Sequence, residues 1–161
     1  MQINRDELWT GWMTWEQIEP YKEQIIDMEY DSMVTWHYPD WDLPRRFTEE
    51  KITGLQQHLA NGNTWFWGAV YRGKLLGYRW AYVGTFINRR RWTGNSIVFI
   101  PEARGLGLGA MAMMAEEKKA RELGCDDMET MYAAFNKASA RMHEKAGYRP
   151  KRIEVVKELK A

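Results

Sequence analysis

The sequence is poor in the features that would mark a secreted, membrane-spanning or metal-held protein. One cysteine, Cys125, stands among 161 residues, so no internal disulfide can form and a reducing, cytoplasmic setting is expected. The three histidines, His37, His58 and His143, lie far apart, and with no second cysteine no metal site is expected. No apolar run approaches a membrane span, so no membrane association is expected. The opening MQINRDELW has no apolar h-region, so a secretory signal is not expected either. Repeats, linkers and low-complexity tracts are missing too, which leaves one globular domain over residues 1–161 as the expectation.

What is present is an ordinary soluble composition with an uneven layout. Hydrophobic residues make up 45% and charged residues 28%, enough for a real core. The net charge of +1 conceals an acidic front and a basic back. Residues 1–60 carry 5 Lys/Arg against 12 Asp/Glu, and residues 61–161 carry 18 against 10. Solvated surface accounts for this; so does a basic part meeting a phosphorylated ligand and an acidic part facing a cationic one. All nine tryptophans fall in residues 1–92.

Local patterns give an element order of β-α-α-β-β-β-α-β-α-β. A short strand near Leu8–Met13 is followed by Thr14 and Gln17 at capping-box spacing, and Pro20 fits the first turn of a helix reaching about Met33. WHYPDWDLPRR reads as a loop, and Thr48 as the cap of a second helix ending at Asn61-Gly62. Strands are predicted at about Thr64–Tyr71, Leu75–Phe86 and Asn95–Ile100. A helix at about Leu108–Leu123 would bury Leu108, Met111, Met114 and Ala115, and Gly124 would stop it. Met128–Phe135 reads as a strand, KASARMHEKA as a helix capped by Asn136, and Tyr148–Val156 as a final strand. This is an α/β, or α+β, sandwich with an antiparallel front half and a βαβ unit behind it.

The segment SIVFIPEARGLGLGA is an apolar run entering a glycine loop behind an arginine. Gly105, Gly107 and Ala110 satisfy the dinucleotide fingerprint G-x-G-x-x-G/A. That motif, however, needs its first glycine at the strand's end and an acid closing the next strand, and here neither holds. Glycines behind an arginine at a helix start also suit a pyrophosphate, because backbone N–H groups approach without Cβ obstruction and the helix adds its positive end. A plain packing turn is the alternative for the loop taken alone.

Two motifs decide the matter. Arg104, Gly107 and Gly109 fill the pattern Arg/Gln-x-x-Gly-x-Gly/Ala, and NKASARMHEKAGY places Asn136, Gly147 and Tyr148 at the spacing of a second. Over about Asn95–Val156 the sequence resembles the GNAT superfamily of N-acetyltransferases. The resemblance implies a mixed central sheet of about six to seven strands with about four helices, splayed at the central strands. It implies acetyl-CoA as acyl donor, with the main chain of Ile97, Val98 and Phe99 along the pantetheine arm. The pyrophosphate would lie over Arg104, Gly105, Leu106, Gly107, Leu108 and Gly109, with Asn136 on the arm.

Many members carry a tyrosine seven residues after that asparagine, as acid for the departing thiolate; here the position is His143. Three roles stay open for it: general acid, a residue that orders water or the sulfur, or a neutral helix residue. The general base is not readable, since Asn95 and Ser96 are poor bases and Glu102 belongs to the pyrophosphate end. The acceptor side falls to the front half, where Trp36, Tyr38 and Trp41 stand beside Asp40 and Asp42, a composition suited to a cationic amine. Trp65, Trp67 and Trp80 are expected in the core. The expected partner is a small-molecule amine or a protein amino group, with a homodimer left open. Two rivals remain: a non-catalytic acyl-CoA-binding protein, and a transferase acting on nucleic acid or aminoacyl-tRNA through the turn Asn88-Arg89-Arg90-Arg91-Trp92.

Overall fold

The computed structural model describes residues 3–157 and residue 159. The chain begins with β1 (Leu8–Met13) and α1 (Trp15–Ile18), joined by the predicted cap: the Thr14 N–H donates to Gln17 Oε1 at 2.9 Å. Pro20 lies in a one-turn 3-10 segment, Glu19–Tyr21, that leads into α2 (Lys22–Ser32). A wide π turn, Met33–His37, closes that helix before the proline loop. The next helix, α3 (Arg46–Ala60), starts earlier than the sequence suggests. Thr48 is not its cap; it sits inside the first turn, and its hydroxyl donates to the Arg45 carbonyl at 2.8 Å.

Three long strands follow: β2 (Thr64–Tyr71), β3 (Lys74–Phe86) and β4 (Arg89–Phe99). The turn between β2 and β3 has Arg72 and Gly73 both at positive φ, the two-residue hairpin geometry that matches strand twist. The turn between β3 and β4 is Ile87-Asn88, so the arginine run is not a turn but the first three residues of β4. Arg91 pairs with Asp127 at 2.7 Å and with Glu129 at 2.8 Å, and Arg89 pairs with Asp127 at 3.0 Å. Those carboxylates hold the Arg91 guanidinium firmly protonated.

After the glycine loop come α4 (Leu108–Glu122), β5 (Asp127–Glu129) and α5 (Lys137–Lys145). The sheet runs β1-β2-β3-β4-β5, antiparallel up to β4 and parallel between β4 and β5. Among the described residues it has five strands, fewer than the six to seven that the resemblance implies. The predicted strand Met128–Phe135 shrinks to β5, because the chain leaves the ladder after Glu129. The predicted strand Tyr148–Val156 does not form: residues 148–157 carry neither strand nor helix, and Ile153, Val155 and Val156 are exposed. Pro150 removes one donor that a ladder there would need. Arg152 instead reaches Glu129 at 3.6 Å and lies over the Phe86 ring.

Each face of the sheet has its own helical layer. Ile18, Ile25, Ile26, Ile52 and Leu55 of α1–α3 bury against Phe66, Leu75, Tyr78 and Trp80. Leu108 and Ala112 of α4 bury against Trp67, Ala69 and Leu76 on the other face. In α4 the buried positions are Leu108, Ala112, Met113, Glu116 and Ala120, whereas the expected Met111 and Met114 are exposed. A glutamate in the buried stripe disguises its period. No helix among the described residues is long and apolar enough to cross a membrane.

Candidate functional site

Two irregularities open the sheet at one place. A bulge sets Trp80 opposite Ser96 but Ala81 opposite Gly94, so Asn95 is the extra residue on β4. The pairing of β4 with β5 covers only Arg91–Thr93 against Asp127–Glu129. Past that point β4 and residues 131–133 diverge, and both line a cleft of about 730 Å³. The Ile100 N–H donates to Leu76 in β3, so by strand alternation the peptide groups of Ile97 and Phe99 point the other way, into the gap. The Phe99 carbonyl accepts from Arg104 Nε at 3.2 Å. The Phe99 ring fills the space over Gly77, where a Cβ would stand 2.0 Å from it.

The glycine loop forms one end of this cleft. Gly105 and Gly107 have φ of 78° and 83°, a region open to glycine, and Gly107 is the N-cap of α4. The N–H groups of Leu108, Gly109 and Ala110 therefore head a 15-residue helix with no intrahelical acceptor. A Cβ at Gly109 would meet Met142 Sδ at 2.7 Å, so this glycine lets α5 close on α4. The exposed Arg104 has spare N–H donors beyond its bond to Phe99. Free amides, a helix N-terminus and a guanidinium fit the pyrophosphate of an acyl-coenzyme A. Asn136 caps α5, accepting from the Ser139 N–H at 3.0 Å, and also lines the cleft.

Of the predicted donor-side residues, Ile97, Val98, Phe99, Arg104, Gly105, Gly107, Leu108, Gly109 and Asn136 line the cleft together. Leu106 does not; it packs into the core beneath α4. On the acceptor side Trp36 and Tyr38 line the cleft, and Asp40 and Trp41 do not. Trp41 is exposed, with its ring 4.7 Å from that of Tyr38.

His143 is not among the lining residues and is only 1% exposed. Its Nδ1 lies 2.8 Å from the Ser139 carbonyl, which sets the Nδ1–H tautomer, and its Nε2 has no hydrogen-bond partner among the described residues. The ring stacks on Tyr132 and meets Tyr148 edge-on. Burial, reinforced by the charge of Arg79, pushes its pKa below the usual histidine value. Such an imidazole is neutral at neutral pH and carries its one N–H proton on Nδ1, against the Ser139 carbonyl. Tyr132, against which it packs, does line the cleft.

A polar group that sequence reading missed occupies the other end. Glu29 of α2 is 1% exposed yet lines the cleft. Its Oε2 accepts from the Tyr78 hydroxyl at 2.6 Å, and its Oε1 from Ser96 Oγ at 2.7 Å and from Lys51 Nζ at 2.5 Å. Burial beside that carboxylate pushes the Tyr78 phenol well above its ordinary pKa, so it stays a donor. The one available signal was position: Glu29 shares the helix face of Ile25, Ile26 and Met33, where a carboxylate does not belong without a partner.

The sequence profile described as the acetyltransferase (GNAT) family matches residues 14–148. An uncharacterised N-acetyltransferase of Bacillus subtilis (strain 168) is 26% identical over 152 residues, 91% of this chain and 95% of the relative. Among solved structures, a protein of Pyrococcus furiosus assigned as an acetyl transferase superposes with a TM-score of 0.69 at 23% identity, over 95% of this chain and 100% of its own. An aminoglycoside N-acetyltransferase in complex with CoA does so with a TM-score of 0.70 at 14% identity, over 94% and 95%.

Proposed function

The chain belongs to the GNAT acetyltransferase family, and on that premise we propose that it moves an acetyl group from acetyl-coenzyme A to a primary amine. The observation that carries this reading is the gap between β4 and residues 131–133, with the free α4 N-terminus at its mouth and Glu29 at its acceptor end. Arg104 and the amides of Leu108, Gly109 and Ala110 would hold the pyrophosphate, and the main chain of Ile97–Phe99 the pantetheine arm. When bound, the donor supplies an activated acyl thioester.

The chain's own residues do the rest. Main-chain N–H groups facing the gap supply donors where negative charge develops on the acyl oxygen. Tyr132 lines the same gap and returns a proton from its hydroxyl on the leaving side, while His143 remains neutral and supports its ring. The acceptor enters past Trp36 and Tyr38. Fold likeness to an aminoglycoside acetyltransferase supports an amine of small-molecule size. A lone free thiol at Cys125 accords with a cytoplasmic setting. Because Arg89 and Arg91 are already neutralised by Asp127 and Glu129, the geometry favours an amine over a nucleic acid.

Thermal unfolding with and without acetyl-coenzyme A, run beside a Gly107→Trp variant, tests the reading. Ligand at ~100 times its dissociation constant adds about 2.7 kcal/mol to the folded state. The parent should shift upward and the variant should not. No shift in the parent at millimolar ligand would overturn the donor site. Binding without thiol release on any amine would point to a non-catalytic acyl-coenzyme A binder.

A further inference from the structure

The Glu29 cluster draws on four separate elements. Glu29 comes from α2, Lys51 from α3, Tyr78 from β3 and Ser96 from β4, one residue past the bulge. Each carboxylate oxygen accepts from a hydroxyl, Tyr78 on Oε2 and Ser96 on Oε1, and Lys51 Nζ also donates to Ser96 Oγ at 3.2 Å. Lys51 is different in kind. Its side chain is 21% exposed, it lines the cleft, and it approaches on a flexible four-carbon stem with Nζ above the Trp80 ring, 5.6 Å from the centroid.

A buried carboxylate with no counter-ion is costly, and two hydroxyl donors only partly offset that cost. The cleft therefore holds a carboxylate whose third partner is a primary alkylammonium delivered along an aromatic wall. We propose that Glu29 is the seat of the acceptor's ammonium and that Lys51 is a resident ammonium which the acceptor replaces. The lysine displays the chemistry of the ligand: a primary alkylammonium on a slender, unbranched stem. Neither a quaternary ammonium nor a branched amine reproduces that fit.

This assignment rests on the acetyltransferase reading and adds the acceptor class to it. It also makes Glu29 the proton acceptor that the sequence does not reveal. The bound ammonium passes one proton to Glu29. Its nitrogen forms the C–N bond as the C–S bond breaks; Tyr132 gives its proton to the departing sulfur, and the amine's second proton replaces it on Tyr132. Glu29 then releases its proton to water, so protons and electron pairs balance.

The test needs no knowledge of the natural acceptor. Lys51→Ala vacates the ammonium position, and its thermal midpoint should fall below that of the parent. Adding n-propylammonium chloride should recover most of that loss, a rise of a few degrees, whereas n-propanol, sodium chloride and tetramethylammonium should not. The double variant Lys51→Ala with Glu29→Gln should not respond to propylammonium. Recovery by propanol alone, no recovery at all, or an equal response in the double variant would each overturn the proposal. If the alanine variant does not fold, Lys51→Ser also vacates the stem, and the same comparison applies. Acetyl-coenzyme A should still raise the midpoint of the lysine variant, because Lys51 is not part of the glycine loop. Loss of that shift in the parent would count against the acetyltransferase reading, and the propylammonium result would stand apart from it.

Discussion

The guanidinium of Arg79 occupies the space that a side chain at Gly94 would need. A Cβ on Gly94 would stand 1.7 Å from Arg79 Nη2, and the arginine cannot simply swing aside. It is 1% exposed, and its Nε lies 2.8 Å from Glu116 Oε1, which also accepts from Trp92 Nε1 at 2.6 Å. Gly94→Ala should therefore cost about 3 kcal/mol by forcing a buried ion pair apart. Arg79→Met should cost about 3–5 kcal/mol by leaving Glu116 unpaired, and adding Glu116→Gln should recover part of that loss. Urea unfolding of the three variants measures the series.

Tyr132 and His143 should separate cleanly in kinetics. Tyr132 lines the cleft, and Tyr132→Phe keeps the ring stacked on His143 while removing its hydroxyl. Once an amine is turned over, kcat should fall by about 10²-fold or more, the range of a lost general acid. His143→Phe should leave kcat within about tenfold, because its effect is confined to packing. The reverse ranking would return the acid role to His143.

Buried His143 also makes stability depend on pH. Its folded pKa lies below the ordinary value of 6.5, so between those two values the unfolded chain binds the proton and the folded chain does not. The contribution is fully present above about pH 6.5 and is lost as the pH falls through the folded pKa. Urea midpoints from pH 7.5 down to pH 5 should decline more steeply for the parent than for His143→Phe.

The hairpin turn offers a stabilising change. Ile87 has φ of 59°, a left-handed conformation that a β-branched residue resists, and its side chain is 85% exposed. Ile87→Asn should raise stability by about 1 kcal/mol, since asparagine tolerates this region and no burial is lost. An unchanged urea midpoint would mean that the turn relaxes without strain.

The glycine-loop end of the cleft was legible because its signals are local. Gly105 and Gly107 turn the chain, Asn136 caps a helix, and Gly124 and Gly147 end helices, each within a few residues of its partner. The Glu29 end was legible only at Trp36 and Tyr38, because Glu29 meets Lys51 across 22 positions and Ser96 across 67. The charge run Arg89–Arg91 read as a turn for the same reason: the Asp127 and Glu129 partners of Arg91 lie 36 and 38 positions away. Met111 and Met114 were assigned to the core of α4 because a buried Glu116, whose Oε1 meets Arg79 and Trp92, has no signature in a hydrophobic period.

The parting of β4 from residues 131–133 leaves an internal sheet edge, with the peptide groups of Ile97 and Phe99 facing a gap instead of a strand. An extended molecule laid in that gap would make main-chain hydrogen bonds of the kind a neighbouring strand makes. The donor's arm would then act as a missing sixth strand, inserted and withdrawn at every turnover. Amide hydrogens at Ile97 and Phe99 should exchange quickly in the empty protein and slowly in the loaded one, so that occupancy is written into the secondary structure itself.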